Sequence, residues 1–462
     1  MTRAAIVLAA GKGTRFRSEQ AKVLHPVAGR TMLRWVLESL RPLELERVVV
    51  VVGHQADAVR AEAEAADLPG LTTVVQDEQR GTGHAARVAV EQGGLEAAET
   101  VLVLPGDVPL LESEPLERLL ASAAESAATI LSFELADPTG YGRIVRDSSG
   151  AVSRIVEHRD ASEAERAITE VNSSIYAFDR AALTDELGRL SSLNEQGEEY
   201  LTDVVAPLAE REAGVDAVSA AADTVAGVND RAQLAEAGVA LRARILERLM
   251  AAGATVVDPA TTYVEADVVV GTDAVVMPGT HLEGATRIGS RACVGPDSRL
   301  VDAEVGDDAT IAYSVVLGAR IGPGADVGPF TYLRGGTDLG PATKAGAFVE
   351  MKNASVGEGS KVPHLSYIGD AEIGRGANVG AATVTANYDG FAKHRTVIGD
   401  GARIGSDTML VAPVRVGIDA YTGAGSVITT DVPDGALGVE RNEQRTIEGY
   451  SEHKRAKHER GG

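Results

Sequence analysis

At 462 residues the chain exceeds what one hydrophobic core ordinarily serves, so two domains are expected. A net charge of −23 argues against a general nucleic-acid binder, because a polyanion is repelled everywhere except at a local basic patch. The single cysteine, Cys293, excludes an intrachain disulfide and fits a reducing, cytoplasmic compartment, and no apolar stretch approaches the roughly 20 residues that span a bilayer.

The first apolar run, Ala4 to Ala10, is too soon interrupted by Lys12 and Arg15 to serve as a secretion signal. Four more follow it. Together "AAIVLAA", "RVVVVVGH", "TTVVQ", "TVLVLPGD" and "TILSFEL" predict short, buried, parallel strands, separated by Ala-rich segments of helical spacing such as "PLERLLASAAES". This alternation predicts a doubly wound, Rossmann-like α/β domain over residues 1–229. Ligands bind beyond the carboxyl ends of such strands, which points to Gly11–Arg15 and Gly106–Asp107.

Residues 230–252 are rich in Ala, Leu, Arg and Glu without Pro, and predict one connecting helix that few core contacts cross. Beyond it the period changes to six. Val264, Val270, Val276, Leu282, Ile288, Val294 and Leu300 form one run, Ile321, Val327, Leu333 and Leu339 another, and shorter runs continue to Val416. Such hexapeptides predict a parallel β-helix over residues 253–437, with stacked strands building a column of roughly 45 Å. Residues 438–462 read as a solvated tail carrying Lys454, Arg455, Lys457 and Arg460.

Chemistry is first suggested by "LAAGKGTRFRSEQAKVLHP". It lacks the third glycine of the dinucleotide fingerprint and the ending of a Walker loop. Its backbone N–H groups can still cradle a triphosphate, with Arg15 and Lys22 supplying charge. With "QDEQRGTGHA", "LPGDVPL", "PTGYGRI", "RIVEHRDA", "EVNSSIYAF", "GEEYLTD" and "AGVND", and joined to hexapeptides, it resembles the bacterial bifunctional N-acetylglucosamine-1-phosphate uridylyltransferase/glucosamine-1-phosphate N-acetyltransferase family. The likeness runs from Ile6 to about Gln444.

That resemblance implies a UTP and UDP-sugar site at Leu8, Ala9, Ala10, Gly11, Arg15, Lys22, Gln76, Gly81, Thr82, Gly142, Glu157, Asn172 and Asn229, with Lys22 facing the triphosphate. It implies Mg²⁺ on Asp107 and Asn229 as the cofactor. In the second half, "FVEMKNASVGEGSKVPHLSYIGD" and "TANYDGFAKHRTVIGD" interrupt the repeat and resemble the family's acetyltransferase segments. There His364 is implied as general base, with Glu350 to orient or charge-balance it, because imidazole suits proton transfer near neutral pH. Arg334, Lys352, Tyr367, Asn378 and Lys393 are the implied glucosamine-1-phosphate contacts. Ala381, Asn387, Tyr388, Ser406, Ala424 and Arg441 are the implied acetyl-CoA contacts, Ser406 as a stabiliser of the thioester oxyanion.

The resemblance also implies a left-handed β-helix, a homotrimer assembled through it, small-molecule substrates alone, and a product that feeds cell-wall peptidoglycan and lipopolysaccharide synthesis. Departures from the family pattern are Ala21 for Pro, Arg159 for Lys, Ser173 and Ser174 for Thr and Gly, Gly335 for Pro, Ala382 for Gly and Ala386 for Cys. One alternative is a nucleotidyltransferase whose β-helix only oligomerises or regulates, and the polar cluster at 364–393 argues against it. A non-enzymatic platform leaves the ordered nucleotide-site residues unexplained.

Overall fold

The computed structural model describes residues 2–192, 194 and 196–461. The outer ends of the first expected domain and of the tail, Met1 and Gly462, lie outside the described residues. The chain folds as two units, Met1–Arg244 and Ile245–Gly462.

In the first unit the main sheet runs in the order Val215–Ser219, Ala128–Glu134, Glu170–Asp179, Thr100–Pro105, Arg3–Ala9, Arg47–Val52, Leu71–Val75. Helices cover both faces, which is why the strands are continuously apolar and do not alternate with polar residues. Ile6, Val49, Val51, Val101 and Val103 pack into one core, whereas Val7, Val50, Leu102 and Leu104 pack into the other. The five expected strands are present. The sheet, however, is mixed.

Glu170–Asp179 is antiparallel and separates Thr100–Pro105 from Ala128–Glu134, so the expectation of uniformly parallel neighbours is corrected there. Its register shifts between Asn172 and Ile175, where Ser173 Oγ donates to the Leu131 carbonyl and accepts from the Ile175 N–H at 3.1 Å. A bulged strand with three polar residues gives no apolar period to read.

The connecting helix spans Arg231–Ala251. Its first half belongs to the first unit: Ala237 and Leu241 are buried with Phe16, Val27, Met32 and Leu110, and Gln233 Oε1 accepts from the Asn229 N–H at 2.6 Å. A cut at 229 therefore exposes core that a cut at 244 preserves. The fragment 1–244 is expected to unfold cooperatively in urea, and fragment 1–229 to be weaker by about 2–5 kcal/mol, the usual cost of removing a large buried side chain. Equal midpoints for the two fragments would show that the helix contributes nothing to this core.

In the second unit each aliphatic residue stacks on its counterpart one coil later: Val264 on Leu282 and Leu300, Val270 on Ile288 and Val305, Val276 on Val294 and Ile311. One face stacks eleven strands, about 48 Å at the usual strand spacing. The strict interval of six lapses after Leu300 because the coils shorten: Arg287 pairs with Glu304, and Glu304 in turn with Arg320. The aliphatic positions nevertheless stay buried. Near the far end the coil lengthens instead, Asn378 pairing with Arg403 across an added loop that holds Asn387, Tyr388 and Lys393.

Candidate active sites

A cleft of about 830 Å³ opens where the first unit's strands end. Its floor is the segment after Arg3–Ala9. Leu8, Ala10, Gly11 and Arg15 line it together with Lys22, Gln76, Gly81, Thr82, Asp107, Gly142, Glu157, Asn172 and Asn229. Of the implied nucleotide residues only Ala9 is turned away, its side chain 2% exposed within the core. A Cβ on Gly11 would meet no protein atom, so the open space there is available to a ligand. Gly13, with φ +58°, lies against the Lys22 stem and leaves it no room for a side chain of its own.

Three elements bring charge together at one end of the cleft. The Lys22 ammonium is ion-paired with Asp107 and donates to Asn229 Oδ1 at 3.1 Å, and Arg15 Nη2 donates to the same oxygen at 2.8 Å. Among the described residues no group of three or more His, Cys, Asp or Glu is placed to hold a metal ion. Two acceptor oxygens, one of a carboxylate and one of an amide, thus converge on the Lys22 ammonium.

The other end of the cleft is built on three paired strands. Gly142 O accepts from the Asn172 N–H at 2.9 Å, while Asn172 Nδ2 donates to Tyr176 OH at 2.7 Å. Burial raises the Glu157 carboxyl above its ordinary range; Thr202 Oγ1, donating at 3.2 Å, partly offsets this, and Asp160 and Asp203 reinforce it. Between the two ends, Gln76 Nε2 donates to Gly81 O at 3.1 Å and Thr82 Oγ1 accepts from the Leu201 N–H at 3.1 Å. Tyr141, Gln79, Glu198 and Tyr200 also line the cleft. They lie inside the quoted segments, and their residue types alone gave no signal.

In the second unit four of the implied acetyl-CoA residues, Ala381, Ser406, Ala424 and Arg441, are joined in a ladder along one edge. Ala382 N–H donates to His364 O at 3.3 Å, Asp407 N–H to Ala381 O at 2.7 Å, Gly425 N–H to Ser406 O at 2.8 Å, and Arg441 Nη1 to Ala424 O at 3.2 Å. His364 and Ser406 are exposed, and the His364 imidazole engages no side chain among the described residues. Glu350 is instead ion-paired with Arg334 Nη1 at 2.8 Å, which raises the Arg334 pKa further.

Beside this ladder the coils pair Glu350 with Tyr367, Lys352 with Gly369, and Lys361 with Asn378. Asp370 accepts from Asn353 Nδ2 at 2.6 Å and from Asn387 Nδ2. Burial acts to raise its pKa, but those amides and the nearby Lys393 and Lys352 outweigh burial and hold it low. Tyr367 OH and Asn387 Nδ2 both crowd Gly369, where any Cβ would collide with them. Tyr388 and Lys393 form a bridge across the base of the added loop.

Residues 5–192 match the MobA-like NTP transferase domain. The chain is 54% identical to the bifunctional protein GlmU of Streptomyces avermitilis and 55% identical to that of Thermobifida fusca, covering 98% of this chain and 94% of each relative. Against the GlmU of Mycolicibacterium vanbaalenii it is 51% identical over 98% of this chain and 93% of the relative. The chain belongs to the bifunctional GlmU family.

Several departures from the GlmU pattern have local explanations. Ala21 N–H donates to Gln55 Oε1 at 2.9 Å, a bond that Pro cannot make. Ser174 at φ +63° and Ala382 at φ +60° both occupy the left-handed region, which accounts for glycine being usual at these two places. Ser173 closes the bulge described above. Gly335 faces open space, and nothing in the structure explains Arg159 or Ala386.

Proposed function

We propose that the β-helix edge acetylates glucosamine-1-phosphate from acetyl-CoA, and that the cleft then transfers UMP from UTP to the product, releasing UDP-N-acetylglucosamine and pyrophosphate. The family supplies both activities, uridylyltransferase and acetyltransferase. The observation that carries the residue assignment is the convergence of Asp107, Asn229, Lys22 and Arg15 at one end of a cleft whose other end is Gly142, Glu157 and Asn172. A phosphate-binding end and a hydrogen-bonding end fit a sugar phosphate meeting a nucleoside triphosphate.

In this reading a phosphate oxygen of the sugar attacks the α-phosphorus and pyrophosphate leaves. Lys22 and Arg15 answer the charge that builds on the phosphate oxygens, and the Gly11 loop offers backbone N–H groups without steric obstruction. Asp107 and Asn229 fit Mg²⁺, which is commonly held by one or two protein oxygens with phosphate and water completing its shell. When bound, Mg²⁺ would supply charge neutralisation to the triphosphate. Glu157, with its raised pKa, and Asn172 present hydrogen-bonding groups to the sugar.

At the second site His364 takes a proton from the sugar amine as it attacks the thioester. Arg334, Lys352 and Lys393 answer the phosphate. The ladder through Ala381, Ser406, Ala424 and Arg441 offers an extended path for the long acetyl-CoA molecule. Assembly into a homotrimer belongs to the same reading. It is supported by an exposed apolar row, Tyr313, Phe330, Phe348 and Leu365, each 43–60% exposed, with Phe330 stacked on Phe348 at 5.2 Å. Cys293 is a free thiol, in keeping with a cytoplasmic location, and no described helix is long and apolar enough to cross a membrane.

The test is product identification with glucosamine-1-phosphate, acetyl-CoA, UTP and Mg²⁺, omitting one at a time. Without UTP, N-acetylglucosamine-1-phosphate and free CoA should accumulate. Without acetyl-CoA, no UDP-sugar should form at a comparable rate. Efficient uridylylation of the unacetylated sugar would overturn the order of steps.

A further inference from the structure

Arg143 lies one residue behind the sugar end of the cleft and does not line it. Its backbone pairs with Val156 on one side and Val171 on the other. Gly142, Glu157 and Asn172 each stand one residue from that paired trio, and all three line the cleft. The Arg143 side chain is 1% exposed, among the largest fully buried groups in the chain.

Among the described residues no carboxylate pairs with this guanidinium. It donates to the Tyr141 carbonyl, and Nη2 lies 3.3 Å from both His158 Nδ1 and the Arg166 carbonyl. Nε has no partner. Burying an unpaired cation opposes folding, and an apolar side chain of similar size would fill the space without that cost. The bonds themselves indicate what the cation does. Tyr141 precedes Gly142, and His158 follows Glu157, so one rigid fork joins the two segments that present the sugar contacts.

We infer that Arg143 is a positioning residue for the sugar-phosphate half of the uridylyl-transfer site, fixing the spacing between Gly142 and Glu157. This rests on the reading of the cleft given above. The triphosphate end, built from Gly11, Lys22, Asp107 and Asn229, shares none of its bonds. Arg143 therefore acts on one substrate selectively.

The test uses the full chain with Arg143→Met and Arg143→Lys. In Arg143→Met the KM for N-acetylglucosamine-1-phosphate should rise about tenfold to a hundredfold, the range expected when a substrate-positioning group is displaced by about 1 Å. The KM for UTP should change less than about twofold, and acetyl transfer should be unaffected. Arg143→Lys should recover part of the loss, because an ammonium can keep one of the three acceptors. Should Arg143→Met fail to fold, His158→Ala removes one tie and should shift the same KM in the same direction by a smaller factor. Equal changes in both KM values, or none in a folded variant, would overturn the role of Arg143. A wild-type chain that transfers no UMP would instead overturn the reading of the cleft.

Discussion

Asp107→Ala is expected to abolish uridylyl transfer while leaving acetyl transfer nearly intact. Asp107 is the carboxylate among the groups that converge at the phosphate end of the cleft, where it pairs with Lys22. Removing it takes away both the anionic ligand assigned to Mg²⁺ and the group that fixes the Lys22 ammonium. Metal stabilisation of a phosphoryl transition state amounts to several kcal/mol, so a loss of roughly 10³-fold or more follows. Lys22 retains Asn229, so the unit has no reason to unfold. Acetyl transfer is assigned to the second unit, which is compact in its own right, and serves as the internal control. Pyrophosphate release and CoA release, measured on the same sample, separate the two activities. Equal loss of both in a folded protein would sink the assignment of independent sites.

The sequence makes the scaffold legible wherever burial imposes a simple rule. Strands covered on both faces must be apolar throughout, so Arg47–Val52 can be recognised from its valines. A β-helix must return an aliphatic residue to the interior on every face, so Val264 to Leu300 can be recognised from period alone. Where the rule is broken for a local reason, the signal disappears. Glu170–Asp179 carries a polar bulge in its first half and is stabilised by Ser173 bonds that no hydropathy pattern records. The coils between Leu300 and Ile321 shed residues at their corners, which breaks the count of six without disturbing the interior.

The candidate sites were legible to a different degree. Motif order placed thirteen cleft residues, counting Asp107, in one cavity, because short segments at strand ends are brought together by the sheet. Motif order could not show what holds them. The Arg334 pairing of Glu350 and the Arg143 fork join residues distant in sequence or on neighbouring strands, and the Gln233 bond to Asn229 depends on where the connecting helix starts. Glu350 is the instructive case. The resemblance implied a partner for His364, whereas its carboxylate is engaged by Arg334.

His364→Ala should lower acetyl-transfer turnover by roughly 10²- to 10⁴-fold, the usual contribution of a positioned general base, with little change in uridylyl transfer. The imidazole is exposed and has no side-chain partner among the described residues, so its loss leaves no buried group unsatisfied and the β-helix should retain its stability. Binding of glucosamine-1-phosphate should survive better than turnover, because phosphate recognition is assigned to Arg334, Lys352 and Lys393. The effect should therefore fall on kcat more than on KM. A folded His364→Ala variant that acetylates at the wild-type rate would remove His364 from the reaction.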